Sequence, residues 1–487
     1  MGAGILLLVS RGHQHKYLVD NPEVTYFKTV HRRHTNFSIE SVKQNFNEAP
    51  DFGKSSTCNI SHIGDLINKS YLIIDLPSIE KFYNNRNEID KIKKFAWVKN
   101  IGYAILKEVS IQFDDRIIDR QYGEWLLIWN QYSKTNNIDV MMGNVPQLYE
   151  PTNGKNNYTL YIPLRFWFCN YSTLSLPIVA LKKTTIKINI KLRNLYECCN
   201  IYPSNSIIVS DVMVPYTPGE LITQKVNGVT SRGYYYDFDY LENRMYYMKV
   251  SETNFQTPNT QNEMDDYVIT NNLGYESTPS INRDNYVEKN LLNNKNLINC
   301  YLYVDYIYID KAERRKFLTA FHEYLIEQVQ YVEKILVSGN NIDINLSFIN
   351  PVKSIYWVVQ PDNNIIKSGY KDWFDYTDNG IDLVKYSKLL LDDINVNTEL
   401  SGIYTGIANP YKYHTKIPNK KINMYSFSLN PEDIQPSGTL NFSYLKNSKL
   451  RIKLNVDTNK FNNVKIRVYA LNYNILKIFS DVGFLNF

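Results

Sequence analysis

The chain alternates apolar and polar residues over several short segments. The clearest reads Ile186-Lys-Ile-Asn-Ile-Lys-Leu192, and the same period of two recurs at Ile342–Phe348, Leu450–Val456 and Val464–Ala470. Successive side chains of a β-strand point to opposite faces of a sheet, so each segment predicts a strand with one buried and one solvated face. Shorter strands are predicted at Lys107–Phe113, Tyr158–Phe168 and Tyr301–Ile309.

Turn-forming Asn, Pro and Gly residues separate these segments. Many short strands between such turns favour antiparallel sandwiches over a parallel α/β sheet, because parallel strands need long crossover connections. Helical periodicity is rare along the chain. The predicted fold class is therefore all-β, with few short helices.

Two segments predict helices. Asp310-Lys-Ala-Glu313 reads as a capping box, in which the Asp310 side chain is available to the backbone N–H of Glu313. This helix is predicted to end near Phe321 and to link two strand-rich halves. A second helix is predicted over Gln121–Tyr132, where three aromatic residues share one face at i, i+4 and i+7: Trp125, Trp129 and Tyr132.

A faint internal repeat indicates two similar halves. In each half a turn containing Pro precedes an alternating strand, which begins at Ile186 in the first half and at Leu450 in the second. Each half later closes with an aromatic strand, at Tyr301–Ile309 and at Val464–Tyr473. The chain is therefore predicted to contain two domains of one kind.

The stretch between Cys199 and Cys300 differs from the rest of the chain. Clustered tyrosines are followed by a run rich in Asn and Thr, and loops longer than about 12–15 residues are usually functional or flexible. We interpret residues 200–298 as an insertion in the first half, partly structured around its tyrosines and irregular elsewhere. The flanking strands, Ile186–Leu192 and Tyr301–Ile309, are predicted to pair within one sandwich without it, because lengthening a loop costs little entropy.

Composition limits the classes of function. The 487 residues are 44% hydrophobic and 21% charged, which is ordinary for a globular protein, and the 40 tyrosines favour strands. A net charge of +5 on a chain of this size gives no argument for nucleic acid as the main ligand. The five cysteines are odd in number and lack a CxxC spacing, which disfavours a disulfide framework or a zinc site and favours a reducing compartment.

Membrane and secretion signals are weak. The apolar run Ile5–Val9 is short and has no basic residue before it, so it does not predict a signal peptide. No segment approaches the roughly 18–20 consecutive apolar residues of a membrane-spanning helix.

Four blocks of sequence resemble the major capsid proteins of the nucleocytoplasmic large DNA viruses. They fall at both ends and in the middle of the chain, in the family's order: Asn21–Phe37 with Ile39-Glu40-Ser41, Asp305–Asp310 with Glu313-Arg314 and His322–Gln328, Tyr425–Leu429 with Gln435–Ser443, and Tyr469–Leu476. The resemblance therefore covers the whole chain. The departure is the insertion, which is longer than in the family's short members.

The resemblance implies a double jelly roll, that is, two consecutive eight-stranded antiparallel jelly rolls. The implied division of the chain is an N-terminal arm (1–21), a first jelly roll (22–310) with the insertion at about 200–298, a linker helix (311–321) and a second jelly roll (322–487).

The resemblance also implies a function. The chain would be a structural major capsid protein that self-assembles into homotrimeric, pseudo-hexagonal capsomers, which tile an icosahedral virion. Its implied partners are copies of itself, neighbouring capsomers, minor capsid proteins and an internal membrane at the inner face, with no specific nucleic acid. Assembly would take place in the host cytoplasm. The arm is expected at the inner side and the insertion at the outer surface.

Three short motifs resemble sites of known chemistry. Gly53-Lys54-Ser55 is similar to a phosphate-binding loop, but Glu48 stands where that motif needs its first Gly. His322-Glu323 begins like a zinc-protease motif, but Ile326 stands at the second His position. His31-Arg-Arg-His34 favours a basic contact surface or a solvated stretch over a metal site. The chain is therefore expected to have no catalytic, cofactor-binding or metal-binding residues and not to be an enzyme.

Other classes of function remain open. One is a minor capsid protein, or a glycan-binding jelly-roll protein at the virion surface that uses the tyrosine-rich insertion for recognition. Another is a jelly-roll enzyme of the cupin kind, which would need a His/Glu metal cluster on core strands, and the seven scattered histidines do not offer one. The resemblance along the whole chain favours the major capsid protein.

Overall fold

The fold consists of antiparallel strands. The computed structural model describes residues 2–10, 12–23, 26, 33–83, 87–133, 137–210, 216–251, 253–281, 286–287, 295–366, 371–378, 380–392, 394–456 and 463–486. Before the insertion, the strands of this described part are β1 (Phe37–Asn45), β2 (Ser55–Asn59), β3 (Leu66–Leu76), β4 (Lys94–Trp97), β5 (Leu106–Phe113), β6 (Arg116–Gln121), β7 (Tyr158–Pro163), β8 (Ile186–Leu192) and β9 (Cys199–Tyr202).

Residues of the insertion form strands of their own. They are β10 (Asn205–Ile208), β11 (Leu221–Val226), β12 (Val229–Asp239), β13 (Arg244–Lys249), β14 (Ile269–Asn271), β15 (Glu276–Ser277) and β16 (Tyr286–Val287).

The remaining strands follow the insertion. They are β17 (Asn299–Ile309), β18 (His322–Leu336), β19 (Asn341–Asn345), β20 (Pro351–Pro361), β21 (Thr377–Asp378), β22 (Ile381–Asp382), β23 (Val384–Leu391), β24 (Ile394–Asn395), β25 (Leu400–Ser401), β26 (Asn423–Ser426), β27 (Leu440–Asn441), β28 (Ser448–Leu454), β29 (Val464–Phe479) and β30 (Val482–Leu485).

Two sandwiches with the same strand order account for most of these strands. The first stacks the sheet β1-β17-β3-β7 on the sheet β2-β8-β5-β6, and the second stacks β18-β29-β20-β26 on β19-β28-β23, where β24 and β25 both pair with the free edge of β23. Counted along the chain within each sandwich, both read 1-8-3-6 and 2-7-4-5, which is a jelly roll. The predicted double jelly roll and the predicted internal repeat are confirmed.

Alternation explains why these segments form strands. On β8 the isoleucines are buried and the lysines between them lie on the wetter face, as predicted. The strand predicted over Tyr158–Phe168 is shorter, because β7 ends at Pro163, which has no N–H to continue a ladder.

The predicted pairing of the two strands that flank the insertion is wrong. Strand β8 pairs with β2 and β5, while β17 pairs with β1 and β3 in the opposite sheet.

Short helices lie in the connections. They are α1 (Ala3–Val9), α2 (Lys16–Val19), α3 (Ile101–Ile105), α4 (Gly123–Tyr132), α5 (Pro146–Tyr149), α6 (Trp167–Asn170), α7 (Lys311–Thr319), α8 (Asn363–Ile366) and α9 (Asn409–Tyr413). The capping prediction is confirmed, since the Asp310 side chain accepts hydrogen bonds from the N–H groups of Ala312 and Glu313. Helix α7 ends at Thr319 rather than near Phe321, and α4 begins at Gly123 because Gln121 is still in β6.

The insertion is more regular than predicted. It forms the sheet β15-β14-β11-β12-β13-β10-β16, whose core includes Ile207, Tyr235, Met245 and Tyr247. The Asn/Thr-rich part, expected to be irregular, supplies β14 and β15. The buried Gln224 contributes to its order, because its side-chain amide donates to the carbonyl oxygens of two residues in that part, at 2.6 and 2.9 Å. The same part also places Phe255 and Ile269 in the core, and β14 pairs with β11, so a polar network and a few buried apolar residues together order the segment.

Candidate functional site: the interface between the two jelly rolls

Helix α4 joins the two jelly rolls. It follows β6 in the first sandwich and lays one face on the outer surface of the β18-β29-β20-β26 sheet of the second. The ring centroid of Trp125 lies 5.4 Å from that of Tyr356 and 5.6 Å from that of Tyr469. Trp129 and Tyr132 lie 6.2 and 5.2 Å from Tyr356. The aromatic face that the sequence predicts on this helix is therefore the contact surface between the jelly rolls.

The sheet beneath α4 presents a row of tyrosines. Tyr331, Tyr469 and Tyr356 lie side by side on three adjacent strands, as the pairing register requires. Strand β29 is covered on both faces, because residues such as Val468 point into the second sandwich while Tyr469 points to α4. Aromatic side chains bury large areas and prefer tilted or edge contacts of the kind seen here.

A buried ion pair lies at the centre of this interface. Oε1 of Glu124, on α4, accepts from Nη1 of Arg467 at 2.8 Å and from the hydroxyl of Tyr376 at 2.8 Å. Its other oxygen accepts from the hydroxyl of Tyr469. The same Nη1 of Arg467 donates to Oε1 of Gln360 at 2.6 Å. Each charge is thus satisfied by several hydrogen bonds, and the side chains of Arg467 and Glu124 are only 10% and 7% exposed.

The electrostatics of this cluster keep Arg467 charged. Burial acts to lower the pKa of Arg467, but Glu124 and the surrounding acidic groups raise it above its usual value. Glu333, which accepts from Nε of Arg467 at 3.0 Å, has a lowered pKa: its burial raises the pKa, and the hydrogen bond from Tyr331 and the charge of Arg467 outweigh that effect. The pKa of Tyr469 is raised by burial and by Glu124, so the phenol remains a donor.

His414 forms a second polar contact at this interface. Burial lowers its pKa although Glu432 is adjacent, so the imidazole is neutral near pH 7. Its Nδ1 lies 2.9 Å from Oε1 of Glu432 and its Nε2 lies 3.0 Å from the hydroxyl of Tyr356. With the proton on Nδ1, the ring donates to Glu432 and accepts from Tyr356, whose oxygen in turn accepts from Ser354. The ring centroid lies 4.6 Å from that of Tyr132.

Further contacts extend the interface on both sides. Nε1 of Trp373 donates to the carbonyl oxygen of Glu197 at 2.8 Å, and the guanidinium of Arg193 stacks 4.1 Å above the Trp373 ring. At the other side, the backbone N–H of Val329 donates to Asp119 at 3.2 Å, and burial raises the pKa of Asp119 to about 6. One hydrophobic cluster therefore runs through the first sandwich and across the interface.

The linker helix adds little to this contact. Helix α7 has no buried residue, and its clearest tie is the ion pair between Arg314 and Asp65 at 2.9 Å. Packing between the jelly rolls, centred on α4 and extended by the contacts of Trp373 and Val329, thus holds them in place to a greater extent than the linker helix does.

The motifs considered in the sequence lie apart from one another. Lys54 follows a turn at Gly53 and pairs with Asp51 at 3.6 Å. His322 begins β18, and its Nε2 lies 2.7 Å from the carbonyl oxygen of Phe317. Glu323 pairs with Lys477 at 3.3 Å.

The segment His31–His34, for which a basic contact surface or a solvated stretch is favoured over a metal site, lies partly outside the described residues. His34 is exposed and its Nδ1 lies 2.7 Å from the carbonyl oxygen of Thr35, while His31 lies outside the described residues. Among the residues that the structure describes, no three His, Cys, Asp or Glu side chains come together as a metal site would require. In the same residues, no helix has the length and apolar character needed to cross a bilayer.

Sequence reasoning missed Glu124, Arg467 and His414. A signal for Arg467 exists, because the strand continues with Tyr469, Leu471 and Tyr473 after the alternation ends, and a strand that is apolar on both faces is buried on both. A charge within such a strand requires a partner. Nothing local identifies that partner, since Glu124 lies 343 residues away.

Two jelly rolls of the same strand order, packed through a buried aromatic interface, define a double jelly-roll protein. The family described as large eukaryotic DNA virus major capsid protein matches residues 313–483, and the N-terminal part of major capsid proteins matches residues 25–218. The chain belongs to this family of major capsid proteins of large eukaryotic DNA viruses. Its members are structural proteins that form the capsid of the virion.

Individual relatives agree with this assignment. The chain is 42% identical over 510 residues to probable capsid protein 4 of Acanthamoeba polyphaga mimivirus, covering 100% of this chain and 99% of the relative. It is 28% identical over 598 residues to the major capsid protein of Phaeocystis pouchetii virus, covering 99% of each. Its fold is similar to that of PBCV-1 VP54, with a TM-score of 0.65 and 20% identity over 95% of this chain and 100% of that one.

The buried ion pair predicts a large effect of Arg467→Met. The substitution leaves Glu124 charged and unpaired in an apolar interface, so we expect the free energy of unfolding to fall by about 3–5 kcal/mol in urea titrations. The matched control is Arg451→Met, on β28 in the opposite sheet of the second sandwich, because Arg451 also pairs with a carboxylate, Asp343, at 2.7 and 2.8 Å but is half exposed. We expect little change there. Equal losses in the two variants would contradict a special role for the buried pair.

His414 predicts a defined pH dependence. Because its pKa in the folded protein lies below its usual 6.5, the unfolded chain takes up this proton first, and the contribution of His414 to stability is lost as the pH falls below about 6.5. We therefore expect the difference in melting temperature between wild type and His414→Gln to shrink between about pH 7.5 and about pH 5.5. Asp119 titrates in the same window with the opposite sign, but it is present in both proteins and cancels. A difference that grows on acidification would show that Glu432 dominates over burial.

Proposed function

We propose that this chain forms homotrimers that act as pseudo-hexagonal capsomers and tile an icosahedral shell. The observation that carries the proposal is that each chain contains two blocks of the same strand order in one fixed arrangement. Three such chains supply six similar blocks, which is the number that a six-sided unit needs. Closed symmetric assembly is the usual state of soluble homo-oligomers.

We propose the following roles for the parts of the chain. Residues 1–21 form an arm, in which the apolar side chains of α1 are all exposed, as expected of a segment that binds something outside its own subunit. That partner is a minor capsid protein or the membrane beneath the shell, at the inner face. The two jelly rolls, 22–310 and 322–487, form the wall of the capsomer, and α7 links them. The insertion, at about 200–298, has its own core and projects outward. Assembly takes place in the host cytoplasm.

The proposed function includes no catalysis and no cofactor. The motifs at Lys54 and His322 are engaged in a turn and at a strand junction, which supports this view. We expect elemental analysis of the folded protein to find no stoichiometric zinc or iron. One full equivalent of bound metal per chain would contradict this proposal and favour a metal-dependent jelly-roll enzyme.

Light scattering tests the assembly proposal. We expect a mass of about 171 kDa, three times the 57.1 kDa of one chain, at micromolar concentration and neutral pH. Variants lacking residues 1–20, or with residues 203–297 replaced by a Gly/Ser linker of about 12 residues, should remain trimeric, with a mass three times that of the shortened chain, because both segments lie outside the jelly rolls. The first variant should fail to assemble into shells. A monomeric wild type would refute the homotrimer, and insoluble protein from either variant would refute its assignment as a peripheral segment.

A further inference from the structure

The second jelly roll has a helical segment in the position of α4. In the first jelly roll, α4 lies between the fifth strand, β6, and the sixth, β7. In the second, a π-helical turn (Tyr404–Ala408) and α9 lie between β25 and β26, at the same place in the strand order. Helix α4 is covered by the second jelly roll. No residue in the described part of its own chain covers the outer face of its counterpart.

That outer face is apolar and exposed. Ile403, Tyr404, Ile407 and Tyr411 are between 43% and 78% exposed. Tyr404 and Tyr411 lie seven positions apart, as do Trp125 and Tyr132 at the two ends of the buried face of α4. A contiguous apolar surface of this kind marks an interaction site.

The segment is held firmly in this orientation. On its inner side, the buried Thr405 donates to Oδ1 of Asn423 at 2.8 Å, and the buried Asn409 donates to the carbonyl oxygen of Met424 at 3.0 Å. Both partners are in β26, the edge strand of the sheet. The apolar face is therefore presented to solvent by a fixed support and not by a loose loop.

The first jelly roll has a sheet surface that matches this face. In the second jelly roll, the surface under α4 is built on Tyr469 paired with Tyr356, on the eighth and third strands. In the first, Tyr303 on β17 pairs with Tyr71 on β3, which are again the eighth and third strands.

Neighbouring residues enlarge this tyrosine surface. Tyr301 lies next along β17, where its ring centroid is 5.2 Å from that of Tyr303, and Nζ of Lys43 lies 4.0 Å above it. Tyr161 on the edge strand β7 is exposed. Tyrosines offer large contact area at low entropic cost and are enriched where binding energy is concentrated.

We propose that the outer face of the β1-β17-β3-β7 sheet of one copy packs on the Ile403–Tyr411 face of a second copy. This contact between chains would repeat the contact that α4 makes with the second jelly roll within one chain. Each subunit then uses two surfaces, its helix face towards one neighbour and its sheet face towards the other. Such a head-to-tail contact closes a ring when the rotation between copies allows it. This inference rests on the proposed homotrimer and names the surfaces that form it.

The two kinds of contact differ in charge. Within the chain, Glu124 precedes Trp125 and meets Arg467, which lies two residues before Tyr469. At the corresponding positions of the contact between chains stand Ile403, one residue before Tyr404, and Tyr301, two residues before Tyr303. At these two positions the contact between copies therefore has no counterpart of the Glu124–Arg467 pair and of its desolvation cost.

Surface substitutions test the proposal. We expect Ile407→Glu/Tyr411→Glu, on the helix face, and Tyr161→Glu/Tyr303→Glu, on the sheet face, each to convert the trimer to a monomer of 57.1 kDa with an unchanged circular dichroism spectrum. The matched control is Ile394→Glu/Tyr444→Glu, an exposed pair of the same residue types elsewhere on the second jelly roll, which should remain trimeric. Trimers in either face variant, or monomers in the control, would overturn the inference and leave the homotrimer intact. A monomeric wild type would instead refute the proposed function.

Cross-linking tests the pairing of the two faces directly. In the variant Tyr161→Cys/Tyr411→Cys, a short bismaleimide should give covalent dimers and trimers, because each interface brings one new thiol from each copy together. Either single variant should behave as the wild type, whose cysteines are buried or half buried. Cross-links in the Tyr411→Cys variant alone would mean that helix meets helix, and their absence in the double variant would mean that the faces do not meet. Either result refutes the proposed pairing.

Discussion

The arrangement of the two jelly rolls depends on one buried ion pair, Glu124 with Arg467. Taking two charges out of water costs several kcal/mol per ion, and the cost is recovered only when the geometry satisfies both groups. Here the hydroxyls of Tyr376 and Tyr469 complete the shell of the carboxylate. A rotation of one jelly roll against the other would separate the charges inside an apolar contact. The hydrogen-bond geometry of the pair therefore fits one relative orientation of the jelly rolls, and the aromatic residues around it add buried apolar area.

A fixed internal angle matters for any closed assembly. A head-to-tail contact gives a ring only when the rotation from one copy to the next adds up to a full turn, and otherwise gives open filaments. A subunit with a loose joint between its halves would sample many rotations. Because α7 has no buried residue, it contributes little packing that would restrict that joint. The packing of α4 supplies the restriction, which links a side-chain network to the geometry of a shell.

The sequence predicts those features that a single sandwich imposes locally. Alternation along Ile186–Leu192 follows because one face meets the core and the other meets water, and Asp310 caps α7 through bonds within one turn. The prediction fails where distant parts of the chain meet. Trp125 on α4 packs against residues more than 200 positions later in the chain, and no local sequence pattern identifies those partners. The polar composition of the insertion predicts an irregular part, whereas the bonds of the buried Gln224 and the burial of Phe255 and Ile269 give that part order.

The position of the closing strand has a consequence for synthesis of the chain. Strand β17 pairs with β1 across 264 residues, so the first jelly roll cannot close until the ribosome has passed Ile309. The aromatic face of α4 then stays uncovered until β29 follows, near Phe479. At about 5–20 residues per second this interval is on the order of ten to thirty seconds, during which an apolar surface is open to aggregation. The aromatic face of α4, which packs between the jelly rolls in the folded subunit, is therefore also the surface through which a nascent chain is most prone to aggregate.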